Sequence, residues 1–231
     1  MSGARDQILA NIRRSLGAAE NNKVRQQAVD ARITAAKPGI EPARGQGSLE
    51  QRVAVFVEQA QAVSATIARV ENISDTPAEI ARYLRDHNLP PSLRIGADSR
   101  LGKLQWQGAG LEIARGPSTG TDLNALSYAV GGAAETGTLA LVSGPDNPTT
   151  LNFLPDNHIV IVDAAAIAAT YEGVLARLKD RFGKGNMPRA VNLVTGPSRS
   201  ADIEQKLLLG AHGPRRLHIV IVNAADGTHA Q

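Results

Sequence analysis

The sequence predicts an α/β fold: a mainly parallel sheet flanked by helices, with an N-terminal helical arm. Three observations carry this expectation. Apolar runs of strand length recur through the second half, at residues 138–143, 158–163, 190–194 and 218–222. Stretches with helical spacing separate several of them, and strands alternating with helices of ten or more residues imply a parallel sheet covered on both faces. The composition agrees. Apolar residues make up 42% and aromatic residues only 3%, so the core must be built from Ala, Val, Leu and Ile, which suit packed α/β layers. A length of 231 residues suffices for one main domain with appendages.

The same composition excludes several functions. A formal charge of +3, from 25 basic and 22 acidic residues, is too mild to argue for nucleic acid, although Arg5, Arg13, Arg14, Lys23, Arg25 and Arg32 cluster early. There is no cysteine, which removes disulfides, thiolate nucleophiles and cysteine-ligated iron–sulfur clusters from this chain. The first thirty residues lack the apolar centre of a signal peptide, and no run approaches the ~20 apolar residues of a membrane span. A cytoplasmic protein is expected.

Taken in order, Ser2 can cap a helix in which Ile8, Leu9, Ile12 and Leu16 share a stripe beside Arg5, Arg13 and Arg14. From Gly17 to Gly47 the chain turns polar and rich in Pro and Gly, which reads as a linker. Residues 1–47 are therefore assigned to a helix and polar linker, and residues 48–231 to the α/β domain. Ser48 with Gln51 forms a capping box opening a helix whose stripe is Leu49, Val53, Phe56, Ala60, Val63 and Ile67. A second box at Thr76-Pro77-Ala78-Glu79 starts a helix carrying Ile80 and Leu84, ended by Pro90 and Pro91. Residues 70–73, 93–96 and 111–114 read as short strands. Helices are expected at 164–182 and 201–209, and strands at 190–194 and 218–222.

The unit 131–163, GGAAETGTLALVSGPDNPTTLNFLPDNHIVIVD, is the centre of the chain. Gly131, Gly132 and Gly137 let backbone or ligand approach closely, and they frame Glu135 at the start of a strand. AETGTL, SG, LP-x-x-HIV-x-V, TGPSRSADIE and LGAHGP-x-x-LHIVIV, in this order over residues 90–223, resemble the lactate utilization protein C family, the LUD (DUF162) domain. The resemblance implies a fold like that of the NagB/RpiA sugar-phosphate isomerases and coenzyme A transferases. It also implies a part in oxidising L-lactate to pyruvate beside iron–sulfur partner proteins, with no cofactor bound by this chain alone.

Within that frame Glu135 is the candidate catalytic residue, because a carboxylate partly desolvated among apolar strands suits a base or nucleophile. The alternative is a glutamate satisfied by turn N–H groups together with Thr136 and Thr138. Thr195, Gly196, Ser198, Arg199 and Ser200 lead from a strand into the helix expected at 201–209, whose N-terminus would favour a carboxylate or phosphate. Ser200 could equally be a plain helix cap, with Asp202 and Glu204 answering the dipole. Gly137 and Thr138 complete the expected ligand site. His212, in a Gly/Pro turn, is a lesser acid–base candidate, while His158 and His218 begin apolar strands as structural residues would. No His pair has metal-ligand spacing, so no metal site is assigned. Asp122 reads as a turn residue. Three functions fit: a non-redox subunit of an L-lactate dehydrogenase assembly, a self-contained isomerase or acyl-transferase using Glu135, or a scaffold docking through its N-terminal helix. A homo-oligomer is compatible with each.

Overall fold

The computed structural model describes residues 3–17, 22–35, 39–183, 185–203 and 206–223, with backbone only at 201–203 and 206–208. Two units are distinct, Met1–Ile40 and Glu41–Gln231. In the first, α1 (Ala4–Ser15) starts from Gly3 as N-cap; Ser2 lies outside the described residues. Helix α2 (Lys23–Ala35) occupies part of the expected linker. The missing apolar stripe suggested loop there, but Lys, Arg, Gln and Ala form helix well without one. Neither helix buries a residue, and Ile8, Ile12 and Leu16 of the expected stripe are exposed.

The second unit opens with a 3₁₀ turn, Ala43–Gly45, so it begins before residue 48, the expected domain boundary. Gly45 is buried, and a Cβ there would collide with the carbonyl oxygen of Ala169. Helix α3 (Leu49–Ala62) follows with the capping box formed as expected: Gln51 N–H donates to Ser48 Oγ, and Ser48 N–H to Gln51 Oε1. Strand β1 (Thr66–Val70) stands earlier than the strand expected at 70–73. Helix α4 (Thr76–Asp86) does not use its expected box. Thr76 lies inside the helix, donating from Oγ1 to Ile73 O, while Asn72 and Asp75 form the reciprocal pair one turn earlier.

The remaining elements are β2 (Ser92–Ile95), α5 (Ser99–Gly102), β3 (Glu112–Arg115), β4 (Asn124–Tyr128), β5 (Gly131–Ala133) and β6 (Thr138–Val142). After them come α6 (Thr150–Phe153), β7 (Asn157–Asp163), β8 (Ile167–Ala168), α7 (Tyr171–Phe182), β9 (Val191–Val194), β10 (Arg199–Ile203), β11 (Lys206–Leu209) and β12 (Arg216–Val222). Six strands form one sheet in the order β1-β12-β7-β4-β2-β3, every pair parallel. A smaller sheet, β8-β5-β6-β9, carries the strands around Glu135, and β6 pairs antiparallel with both neighbours.

Alternation along the central strands builds two cores. Val160 and Val162 of β7, with Ile219 and Ile221 of β12, pack under Val53 and Phe56 of α3 and Leu139 and Leu141 of β6. Ile159, Ile161, Val220 and Val222 face the other way, toward Ile80, Tyr83 and Leu84 of α4 and Trp106. Burial on both faces is why β7 and β12 read as unbroken apolar runs.

Two helix expectations fail for tertiary reasons. The helix of 164–182 begins only at Tyr171, because Ile167 and Ala168 pair in parallel with Gly132 and Ala133. Where a helix is expected at 201–209, Arg199–Ile203 and Lys206–Leu209 are strands β10 and β11, paired antiparallel. Gly210 N–H donates to Ser198 O at 3.0 Å, so the ends of the segment are bonded to each other. A nine-residue helix would hold them about 13 Å apart.

Candidate functional site

Parallel sheets place ligands outside the carboxyl ends of their strands, at the point where strand order reverses. Here β2 leads outward to β3, whereas β4 leads the other way to β7 and then β12, so the reversal lies between β2 and β4. A crevice of about 720 Å³ opens there. Its floor is Tyr128, Ala129 and Val130 at the end of β4 with Asp163 at the end of β7; one wall is Asp98, Ser99, Arg100 and Lys103, and the other is the α7 face with Arg177, Asp180 and Arg181.

The turn after β2 sets the first wall. Asp98 caps α5, accepting the Arg100 N–H at 2.9 Å, and the same carboxylate holds the Arg100 side chain through Nε at 3.1 Å and Nη2 at 2.7 Å. The guanidinium is thereby laid over the Tyr128 ring, 3.4 Å from its centre, a cation–π contact. Asp163 accepts the Tyr128 hydroxyl at 2.5 Å and lies 4.0 Å from Arg100. Burial, then the hydrogen bond to Asp163, push the Tyr128 hydroxyl up, so it stays a neutral donor. Burial opposes the Arg100 charge most strongly of any one cause, but the hydrogen bond to Asp98 and the charges of Asp98 and Asp163 together outweigh it and raise the pKa. Chemically the crevice offers a locked guanidinium, a neutral phenol and a carboxylate, with further cations on its rim. Asp146 joins it from the loop after β6, which is anchored where Ala97 N–H donates to Pro145 O at 2.9 Å.

The residues singled out in the sequence lie elsewhere. Glu135 is 4% exposed and sits in the 3₁₀ turn Ala134–Thr136. Its Oε1 accepts the backbone N–H of Tyr171, the first residue of α7, at 2.9 Å, and its own N–H donates to Ala169 O. A carboxylate at that end complements the helix dipole and satisfies one of the free N–H groups there. Gly137 follows at φ 65°, and a Cβ would come within 2.8 Å of Ala60 Cα, so only glycine lets the turn meet α3. Thr138 hydrogen-bonds to Thr195 at 2.6 Å, to Thr136 at 2.7 Å and to the Tyr171 hydroxyl at 2.8 Å.

Gly196, Ser198, Arg199 and Ser200 meet no helix N-terminus, since the following segment is β10; the anion-binding geometry expected there is absent from the described residues. Arg199 instead donates through Nη2 to Val63 O and Ser64 Oγ beyond the end of α3, and Ser198 N–H donates to Pro214 O. Among the described residues no hydrogen bond links Glu135 with Ser198, and His212 is exposed. The structure thus unites Glu135, Gly137 and Thr138 with Thr195 around one structural junction and leaves the crevice to other residues. The turn after Val194 follows β9, which pairs antiparallel with β6 in the smaller sheet and so ends no strand of the parallel one; of the crevice residues, Asp163 at the end of the apolar run 158–163 is the one that the sequence signals.

The buried histidines form two further clusters. His158 Nε2 lies 3.0 Å from Ser127 Oγ, which donates to Asn152 Oδ1, and burial lowers the pKa of His158 to about 3. His218 stacks on Tyr83 and lies 2.8 Å from Thr66 Oγ1; burial, then His87 and Arg82, lower it to about 3. Asp122 accepts from Arg94 Nε and Ser118 Oγ. Burial works against its charge, but these hydrogen bonds and the Arg94 charge together outweigh it and lower its pKa.

Comparison with known proteins places this architecture. A lactate utilization protein C from Geobacillus sp. (strain WCH70) is 38% identical over 90 residues, covering 38% of this chain and 37% of that protein. Another, from Exiguobacterium sp. (strain ATCC BAA-1283 / AT1b), is 32% identical over 120 residues, covering 51% of each chain. The match therefore spans no more than about half the length of these relatives. The crystal structure of a DUF162 family protein from Deinococcus radiodurans superposes with a TM-score of 0.58 at 21% identity, over 77% of this chain and all of that one, and so shares the fold. The family model of the LUD domain matches residues 53–222, and the chain belongs to the LUD domain family.

Proposed function

We propose that this protein is a non-redox subunit of an L-lactate utilisation system, working beside iron–sulfur proteins that carry the electrons. The observation supporting it is the kinship with proteins named for lactate utilization, joined to a sequence without a single cysteine. An iron–sulfur cluster needs thiolate ligands, as a rule four, and this donor set does not fit one. In this reading electrons from lactate leave through another chain. The crevice beside Arg100 and Asp163 is where this subunit meets a ligand or a surface of that partner, with Glu135 fixing the start of α7. The exposed stripe of α1 favours a docking role for the N-terminal unit. Within this reading the protein is cytoplasmic; among the described residues, no helix is long and apolar enough to cross a membrane.

The test is reconstitution. The full chain is co-expressed with iron–sulfur proteins from the same source, and L-lactate-dependent reduction of an electron-accepting dye is measured with and without it. Co-purification and loss of lactate oxidation on omission are expected. A chain that neither co-purifies nor changes the rate would end this reading.

A further inference from the structure

We propose that the crevice at the carboxyl ends of β2, β4 and β7 is a binding site for a phosphorylated polyhydroxyl ligand of up to mononucleotide size. Volume is the first reason. About 720 Å³ falls in the range of roughly 300–1,000 Å³ that encloses drug-sized ligands. Lactate, with about six non-hydrogen atoms, would displace only a handful of waters at about 30 Å³ each, and would leave most of the crevice filled with solvent.

Charge is the second. Each wall carries cations in excess of its one carboxylate: Arg100 and Lys103 beside Asp98 on one side, and Arg177 and Arg181, one helical turn apart, beside Asp180 on the other. Arg100 is already committed to Asp98, but Lys103 and Arg181 take part in none of the ion pairs among the described residues, and Arg177 donates only to the Ala165 carbonyl. They can close on an anion bearing several oxygens, for which guanidinium groups are well shaped. Asp146 and Asp180 also line the crevice, so the anion is held where Lys103 on one wall and Arg177 and Arg181 on the other can both reach it.

The third reason is the polarity of the floor. Among the described residues the Asp163 side chain accepts one hydrogen bond, from Tyr128, and a carboxylate group has room for about four. Its remaining capacity suits donors, such as the hydroxyls of a sugar. One end of the ligand is thus anionic and the other donor-rich, which is the chemistry of a sugar phosphate or a nucleotide. The position at the reversal of strand order agrees with both. This inference does not rest on the assembly reading, because the site lies wholly within this chain and needs no partner to be tested.

The experiment is calorimetric titration of the purified full chain with AMP, ribose 5-phosphate, adenosine and inorganic phosphate. Saturable binding of AMP or ribose 5-phosphate is expected, with adenosine at least tenfold weaker than AMP. Tighter AMP than ribose 5-phosphate identifies a nucleotide site, and the reverse a sugar-phosphate site. Lys103→Ala combined with Arg181→Ala, both exposed, should weaken the phosphorylated ligands at least tenfold. Asp163→Asn should weaken ribose 5-phosphate severalfold without changing inorganic phosphate. Absence of saturable binding by both phosphorylated ligands, equal affinity for adenosine and AMP, or indifference to the double substitution would overturn the proposal. Failure here would leave the reconstitution result untouched.

Discussion

Acid should destabilise this protein well above the pH at which carboxylates titrate, through His158 and His218. Both rings are almost fully buried, and burial lowers each pKa to about 3. An unfolded histidine titrates near 6.5. Between these values the unfolded chain binds a proton that the native state refuses, so stability rises with pH across the window and is lost as pH falls below about 6.5. The slope is about 1.4 kcal/mol per pH unit for each ring, which from pH 7 to pH 5 amounts to about 2 kcal/mol each and about 4 kcal/mol together. Against a typical total of about 5–15 kcal/mol this is a large fraction. Glu79 Oε1, 3.9 Å from His218 Nε2, is the acidic neighbour that would moderate the loss there. Asp122 adds nothing in this window, since its lowered pKa moves its own contribution below pH 4. The assay is urea unfolding at pH 7 and pH 5 of the parent chain, His158→Leu, His218→Phe and the double variant. Each single substitution should remove about 2 kcal/mol of the pH-dependent loss, whatever it does to stability at pH 7. If both single variants keep the full parental loss, the reasoning is wrong.

Glu135→Gln should retain an acceptor for the Tyr171 N–H and change urea stability by less than about 1 kcal/mol, whereas Glu135→Ala orphans that group and should cost about 1–3 kcal/mol. If Glu135→Gln instead abolished lactate-dependent activity in a reconstituted system without loss of stability, the glutamate would be chemical and not structural. Gly137→Ala places a Cβ at positive φ against the α3 backbone, and thermal unfolding should show a loss above about 2 kcal/mol, or no folded protein. Deleting residues 1–40 should leave the melting temperature of the α/β unit nearly unchanged, because α1 and α2 bury no residue, while binding to iron–sulfur partners should weaken.

The elements whose identity is local were legible in the sequence. The runs that became β7 and β12 could hardly be anything but doubly buried strands, and the Ser48–Gln51 box marked the start of α3 to the residue. Motif order from AETGTL to LHIVIV carried the family, because it survives without knowledge of contacts. Sheet membership was not legible. The runs 138–143 and 190–194 look like core strands of the parallel sheet, yet pair antiparallel in a separate one, since strand sequence records burial and not partner. Helical patterning at 201–209 yielded to hydrogen bonds that tie Ser198 to both Gly210 and Pro214. The candidate site followed the same division. The sequence by itself determined that a carboxylate lies in a glycine-framed turn at residue 135, and that the chain has no thiol chemistry. Only the tertiary structure decided that this carboxylate is bonded to the N-terminus of α7, while Asp98, Arg100, Tyr128 and Asp163, distant in the chain, meet at the reversal of strand order. The physical reason is that a crevice at a switch point is made by which strands are neighbours, and neighbourhood is set by long-range packing that no local spacing encodes.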